Sequence, residues 1–367
     1  MSKKPFLIFV LVAVVAALAA WQFSEQQRPS DSAYANEHLF PGLEARINNV
    51  EKIEIIGPGK KVLTTLVKME DRWAVTDRFN FRADWVSVRG LMEALVEAKV
   101  VEHKTKKKDY FPRLGVEDIQ SVDATGLMIR LDDSDELSLI LGKTAAGGVG
   151  YYVRPLLGEQ ALLVNEFLEL SGDPMAWIDR EVLALNADRI QEMYVRHGDG
   201  EFIHAVRGGG EKNEFVLNNA PAGREVSSPW TVNSYPSTLS SVMAENIRPA
   251  EGDLDDSVTS LLFITTNGLN LQLEIYSEEE KYWLRVSANA EPSSAVAAAS
   301  LAASGEEIAP VDPVVEAEDI NNRHLGWEFE IPEFKYNSWA KRMDDLLAPP
   351  NDGVDESVGV MAPAEGS

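Results

Sequence analysis

The chain has 367 residues, 45% of them apolar, no cysteine, and 34 Lys+Arg against 59 Asp+Glu. That composition excludes global disorder, disulfides and thiol chemistry, and the length accommodates two domains of roughly 100 to 200 residues each. A net charge of −25 repels phosphate backbones, so nucleic acid is not expected as a partner unless a local basic patch overrides it.

Lys3 and Lys4 precede an unbroken apolar run at residues 5–21, whose bulky part is Phe6, Leu7, Ile8, Phe9, Val10 and Leu11 and whose end is Trp21. The run sits at the short end of the roughly 17 to 25 residues a helix needs to cross hydrocarbon. It reads as an export signal or a membrane anchor. Ala17-Leu18-Ala19 offers a signal peptidase site. Trp21 at the helix end and the paired lysines at its start favour a signal anchor or transmembrane helix over residues 1–23, in contact with membrane lipid through 5–21. Either reading puts the rest of the chain outside the cytoplasm.

Residues 24–46 are polar, carry Pro29, Pro41 and Gly42, and read as a linker. Short β runs follow at 50–56, 62–69 and 72–75. Over 84–97 the period changes: Trp85, Val88, Met92, Leu95 and Val96 fall three and four apart, predicting an amphipathic helix. Strands return at 127–131, 137–141, 151–154 and 161–164, and a helical stretch at 175–185 closes a first unit, 47–186. A second unit, 187–347, replays the pattern with strands at 190–195, 201–206 and 214–217 and a helical stripe of Tyr235, Leu239, Val242 and Met243. Strands at 261–266, 269–276, 281–287 and 327–331 and a helix over 333–347 complete it. The expected class is α+β, two tandem units of antiparallel strands each covered by amphipathic helices, behind one N-terminal membrane or signal helix. Residues 288–317, rich in Ala, Ser, Pro and Glu, are expected to form a mobile insertion, and 348–367 a disordered tail.

No constellation dictates a reaction. Gly142-Lys143-Thr144 ends like a phosphate-binding loop, but Leu137 stands where its first glycine belongs. His38, His103, His197, His204 and His324 are dispersed, which gives no metal-ligand spacing. His197 and His204 could meet across a hairpin, and would then be solvated. Asp132, Asp133, Asp135 and Glu136 read as an acidic turn. Ser338-Trp339-Ala340-Lys341 matches S-x-x-K locally, with Trp339 on an apolar stripe. No cofactor or metal is therefore expected, and no catalytic residue. The one basic run, with Lys104, Lys106, Lys107 and Lys108, is a candidate contact for anionic lipid or an acidic partner.

A series of short segments carries a likeness. Leu39-Phe40-Pro41-Gly42-Leu43, Val50-Glu51-Lys52-Ile53 and Asp71-Arg72-Trp73 come first. Tyr110-Phe111-Pro112-Arg113-Leu114-Gly115-Val116, Leu139-Ile140-Leu141-Gly142, Tyr151-Tyr152-Val153-Arg154 and Trp177-Ile178-Asp179-Arg180 follow. In this order they resemble the bacterial family called domain of unknown function 4340, over roughly residues 39–250. The resemblance implies an exported or membrane-anchored protein, often encoded beside ABC-type export permeases of the gliding-motility kind, and carries no catalytic residues. The expected function is a non-enzymatic, single-pass accessory subunit at the inner membrane with its bulk in the periplasm, partnered with an integral-membrane ABC-type permease or another envelope protein. The alternative is a soluble periplasmic ligand-binding protein with a cleft between its two units.

Overall fold

The computed structural model describes residues 37–349 apart from 71, 148–149, 167–168, 210–213, 253–257 and 291–311. The expected anchor at 1–23, residues 24–36 of the linker, 291–311 of the insertion and 350–367 of the tail lie outside the described residues. Among the described residues no helix is long and apolar enough to cross a membrane. The chain is α+β, with helices and antiparallel sheets, and it divides into two compact units between Asp179 and Arg180. The division precedes the expected 186/187 because Glu181–Leu183 pairs with Val242–Met243 as a strand of the second unit.

In the first unit a meander of β1 (Lys52–Gly57), β2 (Lys61–Lys68), β3 (Trp73–Val75) and β4 (Phe81–Arg82) leads into α1 (Trp85–Glu97). The Asp84 carboxylate caps α1 by accepting from the Val86 and Ser87 amides, and Val88, Leu91, Met92 and Leu95 form its buried stripe. β5 (Val100–His103) crosses to the far edge. Then come α2 (Phe111–Leu114), β6 (Leu127–Leu131), β7 (Ser134–Thr144), β8 (Tyr151–Pro155) and β9 (Leu162–Val164). The nine strands lie in the order β4-β3-β2-β1-β6-β7-β8-β9-β5. Glu54 interrupts the apolar run that follows Lys52 in β1. Its buried carboxylate is held by Lys52 at 2.9 Å and by Arg130, directly opposite on β6.

Two expectations for this unit are corrected. The segment assigned to the linker is part of the core from Leu39 onward: Leu39, Phe40 and Leu43 are buried, and the Leu39 amide donates to the Ala98 carbonyl. Its apolar side chains outweigh the Pro and Gly that suggested a linker. The stretch at 175–185 is no helix but a 3-10 turn at Pro174–Trp177 followed by extended chain, because Ile178 bridges Ala83 and the next residues join the second unit.

In the second unit β10 (Glu181–Leu183) precedes β11 (Ile190–His197), β12 (Phe202–Arg207), β13 (Phe215–Leu217) and α3 (Pro229–Ser237). β14 (Val242–Met243), β15 (Asn246–Pro249), β16 (Thr259–Thr265), β17 (Leu269–Glu278) and β18 (Lys281–Ala290) follow. The unit ends with α4 (Pro313–His324), β19 (Trp327–Ile331), α5 (Glu333–Trp339) and α6 (Met343–Leu346). The eight-stranded sheet runs β13-β12-β11-β16-β17-β18-β19-β15. With β4 set aside this is the order of the first unit, and in each unit a strand that follows the first helix, β5 or β15, lies at the far edge.

One face of this sheet is core. Ala205, Met193, Phe263 and Leu271 lie side by side across four strands at 0% exposure. The helices pack there: His324 of α4 meets the Phe329 ring edge-on at 5.4 Å, Tyr336 of α5 stacks on Tyr282 at 3.8 Å, and Tyr235 of α3 bonds the Lys341 carbonyl. Three expectations are corrected here. Val242 and Met243 leave the helical stripe to form β14. The helix over 333–347 is two short helices. Of the insertion at 288–317, residues 288–290 belong to β18 and 313–317 to α4, with Ala288 and Ala317 buried.

Candidate functional site

His197, Ser338, Lys341, Asp132 and Asp133, singled out for chemistry, are bonded within the fold. His197 is buried at 3% exposure: its Nε2 donates to the Lys341 carbonyl at 3.1 Å, and Nδ1 lies 3.3 Å from Thr259 Oγ1. Burial, with Arg342 nearby, holds its pKa below the ordinary imidazole value. It does not meet His204, which lies opposite Tyr194 in the hairpin register and on the other face of the sheet, so the expected solvated pair does not form. Ser338 donates to the Lys335 carbonyl, and the Lys341 ammonium goes to Ser234 instead of Ser338. The S-x-x-K spacing is thus incidental. Asp132 accepts from the Glu51 and Lys52 amides, and Asp133 pairs with Lys52 at 3.1 Å. Both aspartates adopt positive φ in the turn between β6 and β7, which suits Asp.

Three of the segments that carry the family likeness, at 110–116, 139–142 and 151–154, converge on one small core. Phe111 and Val116 pack with Ile56, Ile119, Met128, Ile140 and Ala161, and Leu114 and Tyr152 lie against them. Gly115 takes φ +73° as it ends α2. Gly142 lets the Leu114 carbonyl come so close that a Cβ there would sit 2.3 Å from it. Arg154, buried under this turn, donates from Nε to the Val116 carbonyl at 2.9 Å and lies 5.1 Å over the Phe111 ring. In the last segment the Trp177 indole bonds the Ser171 carbonyl, its own carbonyl accepts from Asp84, and Asp179 pairs with Arg82 at 3.0 Å. These motifs are architectural.

The surface with the chemistry of recognition is the other face of the second unit's sheet. Among the described residues the helices of this unit pack on the core face, and none lies on this one. One row across the strands reads His204, Tyr194, Leu262, Gln272; the next reads Phe202, Arg196, Ser260, Glu274. Tyr194 stacks on His204 at 4.4 Å and on Phe202 at 5.8 Å. Glu192 accepts from the Tyr194 hydroxyl at 2.5 Å and from His204 Nε2 at 2.7 Å, and Asn218 bonds His204 Nδ1, which fixes the tautomer. The Tyr194 hydroxyl, ahead of His204, holds the Glu192 carboxyl below its ordinary value, and Glu192 raises the tyrosine in return. Toward β19 the face turns ionic: Glu328 is gripped by Arg248 and by Arg285 at 2.7 Å, and Arg248 lies 3.9 Å over the Trp283 ring. A shallow groove of about 530 Å³ runs between Tyr194, Arg196, Phe202, Ser260, Ile264 and Gln272. Glu192 binds Tyr194 and His204, and Gln272 donates to Glu274 at 3.0 Å, so the face offers a supported aromatic area, apolar strips and hydrogen-bonding edges.

The basic run lies in the first unit, directly after β5. Lys106, Lys107 and Lys108 are exposed. Lys104 is half-buried, ion-paired with Glu102 and 5.8 Å over the Tyr152 ring.

A family model described as a domain of unknown function (DUF4340) matches residues 73–261. The chain belongs to this family. The DUF4340 match opens on β3 and ends within β16, so it crosses the division between the units. It contains every segment of the likeness from Tyr110 to Arg180, while Leu39–Leu43 and Val50–Ile53 precede it. No curated protein and no solved structure matches the chain. Within the DUF4340 stretch, sequence reasoning missed the Glu192-Tyr194-His204-Phe202 cluster. Its signal was the every-second-residue spacing of Glu192 and Tyr194 and of Phe202 and His204 in two strands joined by a Gly-Asp-Gly turn, which puts all four on one face.

Proposed function

We propose that the protein is a non-catalytic, single-pass, extracytoplasmic subunit, held in the bacterial inner membrane by residues 5–21 with its bulk in the periplasm. It docks through protein–protein contacts on an integral-membrane ABC-type permease or another envelope protein. The observation that carries the reading is the open face of the second unit's sheet, where Phe202, Tyr194 and Arg196 stand over a groove. Aromatic and Arg side chains on a rigid support are the usual centres of binding energy in protein interfaces. The internal bonding of His197, Ser338, Lys341 and Asp132 supports a binding role over a catalytic one. The apolar run behind Lys3 and Lys4 supports the anchor.

The test is to solubilise membranes gently, recover the C-terminally tagged full-length protein, and identify its partners and its own N-terminal peptide by mass spectrometry. An intact Met1–Trp21 segment with a permease in the eluate is expected. In the Arg196→Ala/Phe202→Ala variant, recovery of the permease should fall about tenfold or more, as for loss of central anchors. A chain that starts near Ala20 and brings no partner overturns the reading.

A further inference from the structure

The edge strand β5 joins two features that the sequence keeps apart: the point where the chain from the anchor enters the first unit, and the basic run. The first described residues, Glu37–Leu39, lie antiparallel along 98–100. The Val100 amide donates to the Glu37 carbonyl at 2.8 Å, the Leu39 amide donates to the Ala98 carbonyl at 2.7 Å, and His38 bridges Lys99. From Val100 the strand runs into Lys106 within about 20 Å of chain. The residues 22–36 that separate Glu37 from Trp21 reach at most about 58 Å when fully extended. An anchor at 5–21 therefore tethers this edge near the bilayer surface.

The run is held in place by the fold. The Lys104 amide donates to the Ala161 carbonyl, and the Lys107 amide to Thr105 Oγ1. Phe111 then plugs into the core formed by Ile56, Val116 and Ile140. Lys104 is neutralised by Glu102 and drops out of the contact. Others join it: exposed Arg113 lies 5.0 Å over the ring of exposed Tyr110, and exposed Lys143 donates to the Pro112 carbonyl at 3.0 Å. Asp109 is the one acid between Lys104 and Arg113. The chain as a whole carries −25, yet at a Debye length of about 10 Å a leaflet senses the charges nearest to it.

We propose that Lys106, Lys107, Lys108, Tyr110, Arg113 and Lys143 form a headgroup-contact patch that seats the first unit on the anionic phospholipid of the bilayer holding its own anchor. This rests on the anchored reading. One apolar segment combined with a basic patch is a common two-signal arrangement, and an amphipathic tyrosine among the cations suits the interfacial zone.

The experiment reconstitutes the full-length protein into vesicles of phosphatidylcholine alone or mixed with phosphatidylglycerol. Flotation reads the anchor, and amine acylation followed by mass spectrometry reads each lysine. The expected result is flotation with both vesicles and labelling of Lys106, Lys107 and Lys108 slowed about fivefold or more by phosphatidylglycerol, the factor that corresponds to an ordinary lysine–surface contact. Exposed Lys60 should be unaffected, and high salt should erase the difference. In the K106Q/K107Q/K108Q variant, whose changes are all at exposed positions, the phosphatidylglycerol-dependent protection of Lys143 should disappear. Flotation with equal labelling in both vesicles overturns the patch and leaves the anchor standing. Absence of flotation overturns the anchor and the patch with it. Protection in native membranes without protection by phosphatidylglycerol assigns the lysines to a protein partner and also overturns the proposal.

Discussion

Gly142 shows how a single missing side chain shapes the first unit. A Cβ at this position would stand 2.3 Å from the Leu114 carbonyl and 2.7 Å from Val116, and backbone cannot yield as a flexible side chain does. Gly142→Ala should therefore destabilise the protein by about 3 kcal/mol, read as a lower midpoint in urea, with no loss at the exposed Gly209→Ala control. His197 makes a different test. Its folded pKa lies below the ordinary value of 6.5, so near that value the folded protein binds fewer protons than the unfolded chain. The stabilisation is complete above about pH 6.5 and is lost as pH falls from there toward the folded value. The charges around it are Arg342, Glu201 and Asp199, and the loss on acidification means that burial and Arg342 outweigh the two acids. His197→Gln keeps a donor for the Lys341 carbonyl without a titrating ring. The melting-temperature advantage of wild type over this variant should shrink from about pH 7.5 to about pH 5.5. A constant difference across that range would show that the imidazole titrates alike in both states.

At the scale of elements, most strands are legible in the sequence because an alternating apolar period survives in each, as at 190–197, 259–265 and 269–278. The edge strands β4 and β15 are not, being two and four residues long. The helix expected over 333–347 breaks after Trp339 for a tertiary reason: the Lys341 carbonyl accepts from both the Tyr235 hydroxyl and His197, which draws it out of any helical ladder. α4 was hidden by its polar face, although Asp312 followed by Pro313 is a helix-start signal. Its role is particular. β19 pairs with β18 only over Tyr282–Leu284, and farther along the strand Asn321 of α4 replaces a neighbouring strand by donating to the Ala288 carbonyl and accepting from the Ala288 amide. Asn321→Leu leaves that amide and carbonyl unpaired beneath the helix and should cost about 2 kcal/mol in urea unfolding. A change within about 0.5 kcal/mol would mean that water replaces the side chain without loss.

For the whole molecule, the repetition of elements between the units is legible along the chain, but the shared strand order is not. It depends on the pairings β1–β6 and β11–β16 across inserted helices, and on β5 and β15 each crossing to a far edge. The open face is hidden for the same reason, since Tyr194, Leu262 and Gln272 become neighbours only through those pairings. Charge is the property that composition does reveal. At −25 the compact protein repels itself more than the expanded chain does. Against this stand ion pairs of two kinds. Glu328 with Arg248 and Arg285 is nearly buried and only weakly screened, whereas pairs such as Arg89–Glu93 and Arg342–Asp199 are exposed and contribute little. Self-repulsion should therefore dominate the salt response. Raising ionic strength from about 0.01 M to about 0.5 M shortens the Debye length from about 30 Å to below about 10 Å and should raise Tm by a few degrees, since about 1 kcal/mol shifts a protein of this class by roughly 2–4 °C. Calorimetry in sodium chloride decides it: a falling Tm would show that the exposed ion pairs outweigh the acidic excess, and that the surface acids are placed in local complement to the bases instead of in a mutually repelling field.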